Sequence, residues 1–396
     1  MKIRGMAVWL VGLTFLFSAT VFATEPVKVG VLSVLSGPMA ELGQSDVNGA
    51  KLAVEEYGPL LGQKVEIVVA DHGYNPGMAV TKAKEFYEGE KVDMIVACPQ
   101  GAAAIAVSDQ AAKNKRVFMS TSTSSIDLIA RNRYTFKYNY NDYMMAVTAG
   151  LWGAEHLGKK WYVIGPDYVV GHSLLKLYTE AVKKKGGEIV GADMVALGTS
   201  DFSPYVLKAI KAEPGVLLIL SPGKDGVNVA RAAVDYGLKK SVKIIGNTLT
   251  EVEVKEAGAI LADIYIPAPW YWKVDNPGAK EFADRYLKRF GVRPTFFSAA
   301  AYSATWQYLE AVKRTGTKEP EPVIKALENY AFRDMFANPG YIRAEDHLQT
   351  AKAFLLRIKK PEDVKEREDY FDVVGSVAAD QAEPGPRFTG RKMEGF

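Results

Sequence analysis

Six consecutive hydroxyl-bearing residues, Ser120-Thr121-Ser122-Thr123-Ser124-Ser125, follow a short apolar run. Hydroxyls combined with the free amides at the start of a helix hold an anion without any basic side chain, each favourable interaction with the helix dipole being worth about 0.3 to 1 kcal/mol. A carboxylate is the natural guest. A second turn, Cys98-Pro99-Gln100-Gly101-Ala102-Ala103, opens an Ala-rich helical stretch whose small side chains leave its first amides approachable. A third, Leu35-Ser36-Gly37-Pro38, precedes Leu42. Alone, the hydroxyl run reads equally as helix caps and solvated loop. Its coincidence with the Gly101 turn makes Ser122, Thr123 and Ser124, with Gln100, Gly101 and Ala102, the expected anion floor.

Aromatic residues gather at other predicted turns and crossings: Tyr138, Tyr140 and Tyr143, then Tyr168, then Trp270-Tyr271-Trp272. Such rings offer flat walls with a polar edge to a small ligand. Tyr143, Tyr168 and Tyr271 join Leu42, Pro222 and Thr248 as expected ligand contacts. Catalytic signatures are missing from the sequence. It contains no GxSxG, HExxH, P-loop or GxGxxG pattern, and Ser221-Pro222-Gly223-Lys224 lacks phosphate-loop spacing. His72, His156, His172 and His347 are scattered, none at metal-ligand spacing from a cysteine or an acid. Binding is therefore expected rather than turnover, with no metal or organic cofactor, and an exported hydrolase is the disfavoured reading.

The elements that position these turns alternate. Apolar runs at residues 27–35, 64–71, 92–97 and 116–119 do not switch polarity from one residue to the next, so they read as strands buried on both faces. Between them lie helices, such as the one carrying Val47, Ala50, Val54 and Tyr57 at three- and four-residue spacing. The series repeats at 161–165, 189–196, 216–220 and 242–245. This predicts an α/β protein of two doubly wound parallel-sheet lobes, and ligands of open parallel sheets bind outside the carboxyl ends of the strands. Two long amphipathic helices at 279–290 and 298–314 are expected to return to the first sheet, with one more strand at 351–358. Three crossings near Asn141, Tyr271 and Asn338 would form the hinge. The expected division is a leader at 1–23, a first lobe at 24–141 plus 272–337, a second at 142–271 plus 338–375, and a tail at 376–396.

The 396 residues, 48% hydrophobic and 24% charged, suffice for two cores. Lys2 and Arg4, an apolar stretch to Phe17 and the small Ala23 read as a removable export signal, too short in its apolar part for a span of about 20 residues. Cleavage after Ala23 would leave 47 basic side chains against 46 acidic, a balance of +1. Such a balance gives no reason to expect nucleic acid as a partner. Cys98 is the only cysteine, so no internal disulfide is available. A soluble, monomeric periplasmic product is expected.

Val29-Gly30-Val31-Leu32 before Leu35-Ser36-Gly37-Pro38, the helix at 50–56, Val92-Asp93-Met94-Ile95-Val96, Gly165-Pro166-Asp167-Tyr168 before Gly171, and Thr199-Ser200-Asp201-Phe202-Ser203 occur together in this order. In combination, from about residue 27 to 358, they resemble the leucine/isoleucine/valine-type (type I) periplasmic binding proteins of ABC transporters. The resemblance implies capture of a small molecule by closure of two lobes and delivery to ABC permease subunits. It implies that the turns at Gly101-Ala102 and at Ser122 to Ser124 hold a ligand carboxylate, and that Tyr168 adds an aromatic from the second lobe. Where the family places an acid for a ligand ammonium, after the strand ending near Asn247, this chain has Thr248 and Leu249, with Glu251 slightly later. That departure favours an aromatic or aliphatic organic acid slightly over a branched-chain-type amino acid. A sensory ligand-binding protein docking on a signalling receptor is the alternative role.

Overall fold

The structure, a computed structural model, describes residues 25–393, and the expected leader lies outside them. The apolar runs become strands. β1 (Lys28–Ser33), β2 (Glu66–Asp71), β3 (Met94–Ala97), β4 (Val117–Ser120) and β5 (Thr135–Lys137) form one parallel sheet in the order β2-β1-β3-β4-β5. β3 and β4 are buried throughout, which is why their sequences show no alternation. The chain winds outward from β1 to β2 and returns to the other side at β3. The turns that leave β1 and β3 therefore diverge, and a crevice opens between them.

The second lobe repeats the winding. β6 (Lys160–Pro166), β7 (Glu188–Val195), β8 (Val216–Ile219), β9 (Lys243–Gly246) and β10 (Tyr265–Ala268) run parallel in the order β7-β6-β8-β9-β10. Two antiparallel additions follow. β11 (Tyr330–Phe332), β12 (Gly340–Ile342) and β13 (Gln349–Thr350) form a small sheet, while β14 (Ala353–Ile358) and β15 (Phe371–Val377) extend the second sheet beyond β10.

The helix Phe296–Thr315 returns to the first lobe and packs along the helix Ala40–Tyr57. Their approach is close enough that a Cβ on Gly49 would fall 2.1 Å from the Ser298 carbonyl oxygen. Helices Pro76–Lys84 and Gly101–Asn114 cover the opposite face with Ala79, Ala83, Ala103, Ala104 and Val107, enclosing the fully buried Cys98.

The last passage between sheets departs from the sequence reading. β12 and β13 stay with the first lobe, where Leu348 bridges Lys137 and His347 stacks on Phe136 at 4.1 Å. The chain changes sheets between Thr350 and Ala353, not near Asn338. Strands of two or three residues are too short to carry a period. The tail is also more built than the sequence suggests. Its first residues, Ser376 and Val377, finish β15. Glu383 then accepts from Asn141 Nδ2 at 2.7 Å, Arg343 Nη1 donates to the Pro384 carbonyl at 2.7 Å, and Arg391 pairs with Asp127.

Candidate functional site

The turns leaving β1 and β4 meet the turn leaving β9 across the gap between the lobes. Deep in this gap lies a cavity of about 190 Å³. Leu42, Met145, Leu249, Trp270, Phe296 and Phe297 supply its apolar walls, and Ser124, Asp142, Asn247, Thr248, Thr250 and Glu251 its polar ones. Tyr140 closes it on the hinge side, with an edge-on contact to Phe296 at 5.2 Å.

Of the expected anion floor only Ser124 lines this cavity, and Gln100, Gly101, Ala102, Ser122 and Thr123 stand outside its lining. Gln100 adopts φ 75° and caps the helix Gly101–Asn114, which turns the amides of Gly101 and Ala102 outward. Those amides, and the amides of Ser122 and Ser124, donate to no group among the described residues. Gly101 keeps the turn open, since a Cβ there would stand 3.3 Å from Ser125 Cβ. Thr123 is buried, and its carbonyl accepts from Lys137 Nζ at 2.7 Å, as the Tyr140 carbonyl does at 2.6 Å. Burial pushes the Lys137 ammonium down to about 7. This amine ties the hydroxyl turn to the first crossing and is spent on carbonyls, so it offers no direct contact to a ligand.

Two hydroxyls of the expected floor differ in use. Ser122 Oγ donates to Asp46 Oδ1 at 2.5 Å, and Ser33 Oγ donates to Asp46 Oδ2 at 2.8 Å. The Ser122 hydroxyl proton is therefore committed behind the floor, leaving its amide for an anion. Burial pushes Asp46 up to about 7 against these two hydrogen bonds. Ser124 instead lines the cavity beside Asp142, whose carboxyl burial raises to about 6 while Ser124 opposes the rise.

The remaining expected contacts separate. Thr248 lines the cavity and donates to the Ser221 carbonyl at 3.3 Å. Tyr168 caps the helix Val169–Lys184 at the mouth of the gap and is 40% exposed. Pro222 begins the helix Gly223–Asp235 and does not line the cavity. Tyr143 turns away from it to meet Phe388 of the tail at 4.9 Å. Tyr271 is buried, donates to Asp369 Oδ1 at 3.0 Å, and lines a neighbouring cavity of about 400 Å³ that shares Glu251 with the first.

Sequence reasoning missed Asp142, Met145, Phe296 and Phe297. Asp142 opens a helix, where an acid is favoured by the dipole alone, so it gives no separate signal. Glu251 also opens a helix, capped by Thr250 in a reciprocal capping box with Glu253. Burial raises Glu251 to about 7, with Glu253, Glu368 and Glu41 adding to the rise. No Lys, Arg or His lines the cavity. Among the described residues no group of three or more His, Cys, Asp or Glu is placed to hold a metal, and no helix is long and apolar enough to cross a membrane.

Comparison with known proteins agrees with this architecture. A family model described as periplasmic binding protein matches residues 26–363. The Leu/Ile/Val-binding protein homolog 3 of Brucella melitensis is 27% identical over 323 residues, covering 79% of this chain and 87% of that protein. A branched chain amino acid ABC transporter periplasmic ligand-binding protein of Burkholderia xenovorans superposes with a TM-score of 0.88 at 28% identity, covering 93% of this chain and 99% of that one. A solute binding protein of an ABC transporter from Rhodopseudomonas palustris, solved with 3,4-dihydroxy benzoic acid, shares the fold with a TM-score of 0.78 at 23% identity, covering 89% of this chain and 98% of that one. Two doubly wound lobes around a polar-floored gap, matched over most of their length, place the chain in the periplasmic binding protein family, the substrate-binding components of ABC transporters and not enzymes.

Proposed function

We propose that this protein binds a small zwitterion, an apolar α-amino acid or a close relative, and presents it to the permease of an ABC importer. One observation carries the choice of ligand: the described lining of the cavity holds two carboxylates, Asp142 and Glu251, and no basic side chain, with Ser124, whose amide has no partner among the described residues, on the same wall. The amides of Gly101, Ala102, Ser122 and Ser124 suit a carboxylate, and the two acids suit an ammonium group. A plain organic anion would meet both acids with no basic side chain in the described lining to pair with it. The ligand's apolar part would lie against Leu42, Met145, Leu249 and Phe297. This reverses the slight preference for organic acids drawn from Thr248 and Leu249. Asp142 and Glu251 supply the acid that the turn itself lacks.

A hydroxylated aromatic acid is the second reading. It is favoured by the rings of Tyr140, Trp270, Phe296 and Phe297, and by Glu251, whose raised pKa leaves it partly protonated at neutral pH and able to donate to a ring hydroxyl. Isothermal titration of the protein with L-leucine, L-phenylalanine and 4-hydroxybenzoate tests the proposal. Micromolar binding, about −8 kcal/mol, is expected for an amino acid. Binding of 4-hydroxybenzoate alone would overturn the zwitterion in favour of the second reading.

A further inference from the structure

Tyr74 stands just beyond β2 in a conformation that does not suit it. Gly73 and Tyr74 are consecutive left-handed residues, at φ 56° and 58°. Glycine adopts such a backbone freely, whereas a tyrosine Cβ crowds the following carbonyl. The turn is nonetheless fixed from several sides. Asp71 Oδ1 accepts from the Gly73 amide at 2.7 Å and from the Leu35 amide at 3.0 Å, which joins this turn to the first cleft turn. The Asn75 amide donates to the His72 carbonyl at 2.9 Å, and Asn75 Oδ1 caps the next helix through the Met78 amide at 3.0 Å. None of these contacts uses the Tyr74 ring, which is 49% exposed and therefore contributes little packing.

The ring's neighbours indicate what it serves. Tyr74 follows the carboxyl end of β2 in the first lobe and Tyr168 follows that of β6 in the second, the strand ends that border the crevice in open parallel sheets, and the two phenols are near enough to interact electrostatically. Exposed apolar side chains follow both strand ends: Tyr74 and Met78 after β2, and Tyr168, Val169 and Val170 after β6, with Val169 80% exposed. Apolar surface left bare on the two lips of the crevice gains by meeting.

We propose that Tyr74 is a sealing residue, whose ring covers the cavity mouth against Tyr168 when the lobes close and so sets how slowly the ligand leaves. The seal rests on the proposed closure of the lobes around a ligand. Strain held in an exposed aromatic is then a cost to the free protein that is recovered as retention of the bound one.

Glycine at this position separates the two roles. Tyr74→Gly removes the ring and the backbone strain together. The thermal midpoint without ligand is expected to stay level or rise, while the dissociation rate of the tighter-binding of L-leucine and L-phenylalanine, followed by stopped-flow tryptophan fluorescence, rises about tenfold or more. Tyr74→Phe keeps the ring and should release ligand at the wild-type rate. A midpoint lowered by several degrees in Tyr74→Gly, or an unchanged dissociation rate, overturns the proposal. An arm without solute separates the seal from the ligand assignment: the full chain carrying Tyr74→Cys and Tyr168→Cys is oxidised to a disulfide, a zero-length cross-link that forms only where the two Cα atoms approach within about 7 Å, Cys98 being buried. Intramolecular cross-linking supports meeting lips even if neither amino acid binds. Failure to cross-link while amino acids still bind overturns the seal alone.

Discussion

Acidification from pH 8 to pH 5 should weaken amino-acid binding steeply. Burial holds Glu251 at about 7 and Asp142 at about 6, both above ordinary carboxyl values, so the free protein takes up protons at these sites over this range. An ammonium group placed between them favours the ionised forms and drives both values back down, which couples binding to proton release. The sign follows directly: affinity is full above about pH 7 and is lost as pH falls through the two raised values. If binding restores ordinary carboxyl behaviour, Glu251 alone accounts for a loss of roughly 70-fold at pH 5, and both acids together for several hundredfold, at about 1.36 kcal/mol per tenfold step. At pH 7 Glu251 is about half protonated and Asp142 about one-tenth, so calorimetry in buffers of different ionisation enthalpy should register about 0.6 proton released per ligand. Glu251→Gln should remove most of that release and flatten the upper part of the profile. Affinity that stays level or rises on acidification would refute the reasoning and indicate a ligand that is anionic at this point.

Ser124→Ala should weaken binding by roughly 1 to 3 kcal/mol in calorimetry, since its hydroxyl lines the cavity, and Ser122→Ala should act mainly through the loss of a buried partner for Asp46. Gly49→Ala should lower stability by about 1 to 3 kcal/mol or more, read as a fall in thermal midpoint, because its Cβ would meet the Ser298 backbone, which cannot rotate away. Small-angle scattering should show the wild-type protein contracting when ligand is added, and Tyr168→Ala contracting less while retaining weak binding through the first lobe. A constant radius of gyration under tight binding would remove closure from the mechanism.

The inner strands were legible because they run parallel and are covered on both faces, so β3, β4 and β8 had to be continuous apolar runs, whereas β2, expected to be buried on both faces, is an edge strand with partly exposed residues. The crevice was legible with them, since in such sheets the carboxyl ends of strands define it. What escaped was everything set by pairing over long distances in sequence. β11, β12 and β13 have two or three residues each and exist because they pair with one another and because Leu348 reaches Lys137. In the site, residue type announced the hydroxyl turn but not its orientation. Ser122 and Ser124 are the same residue two positions apart, and only packing sends one hydroxyl inward to Asp46 and leaves the other on the cavity wall. Phe296 and Phe297 fall just outside the helix expected at 298–314, and only its actual start at Phe296 brings both rings to the cavity wall.

The helix that completes the first lobe is also late in the chain. β1, β3 and the helix Ala40–Tyr57 present Val29, Val31, Met94 and Val47 to a face that the helix Phe296–Thr315 closes, nearly 200 residues after β3. The second lobe likewise waits for β14 and β15 at its sheet edge. A chain emerging from its amino end cannot close the first core until the helix ending at Thr315 has been made, nor complete the second sheet before Val377, and bringing such distant partners together is slow. For a polypeptide destined for the periplasm the delay is useful. An export route that takes up an extended chain is served by an order of segments that leaves both cores open for most of synthesis.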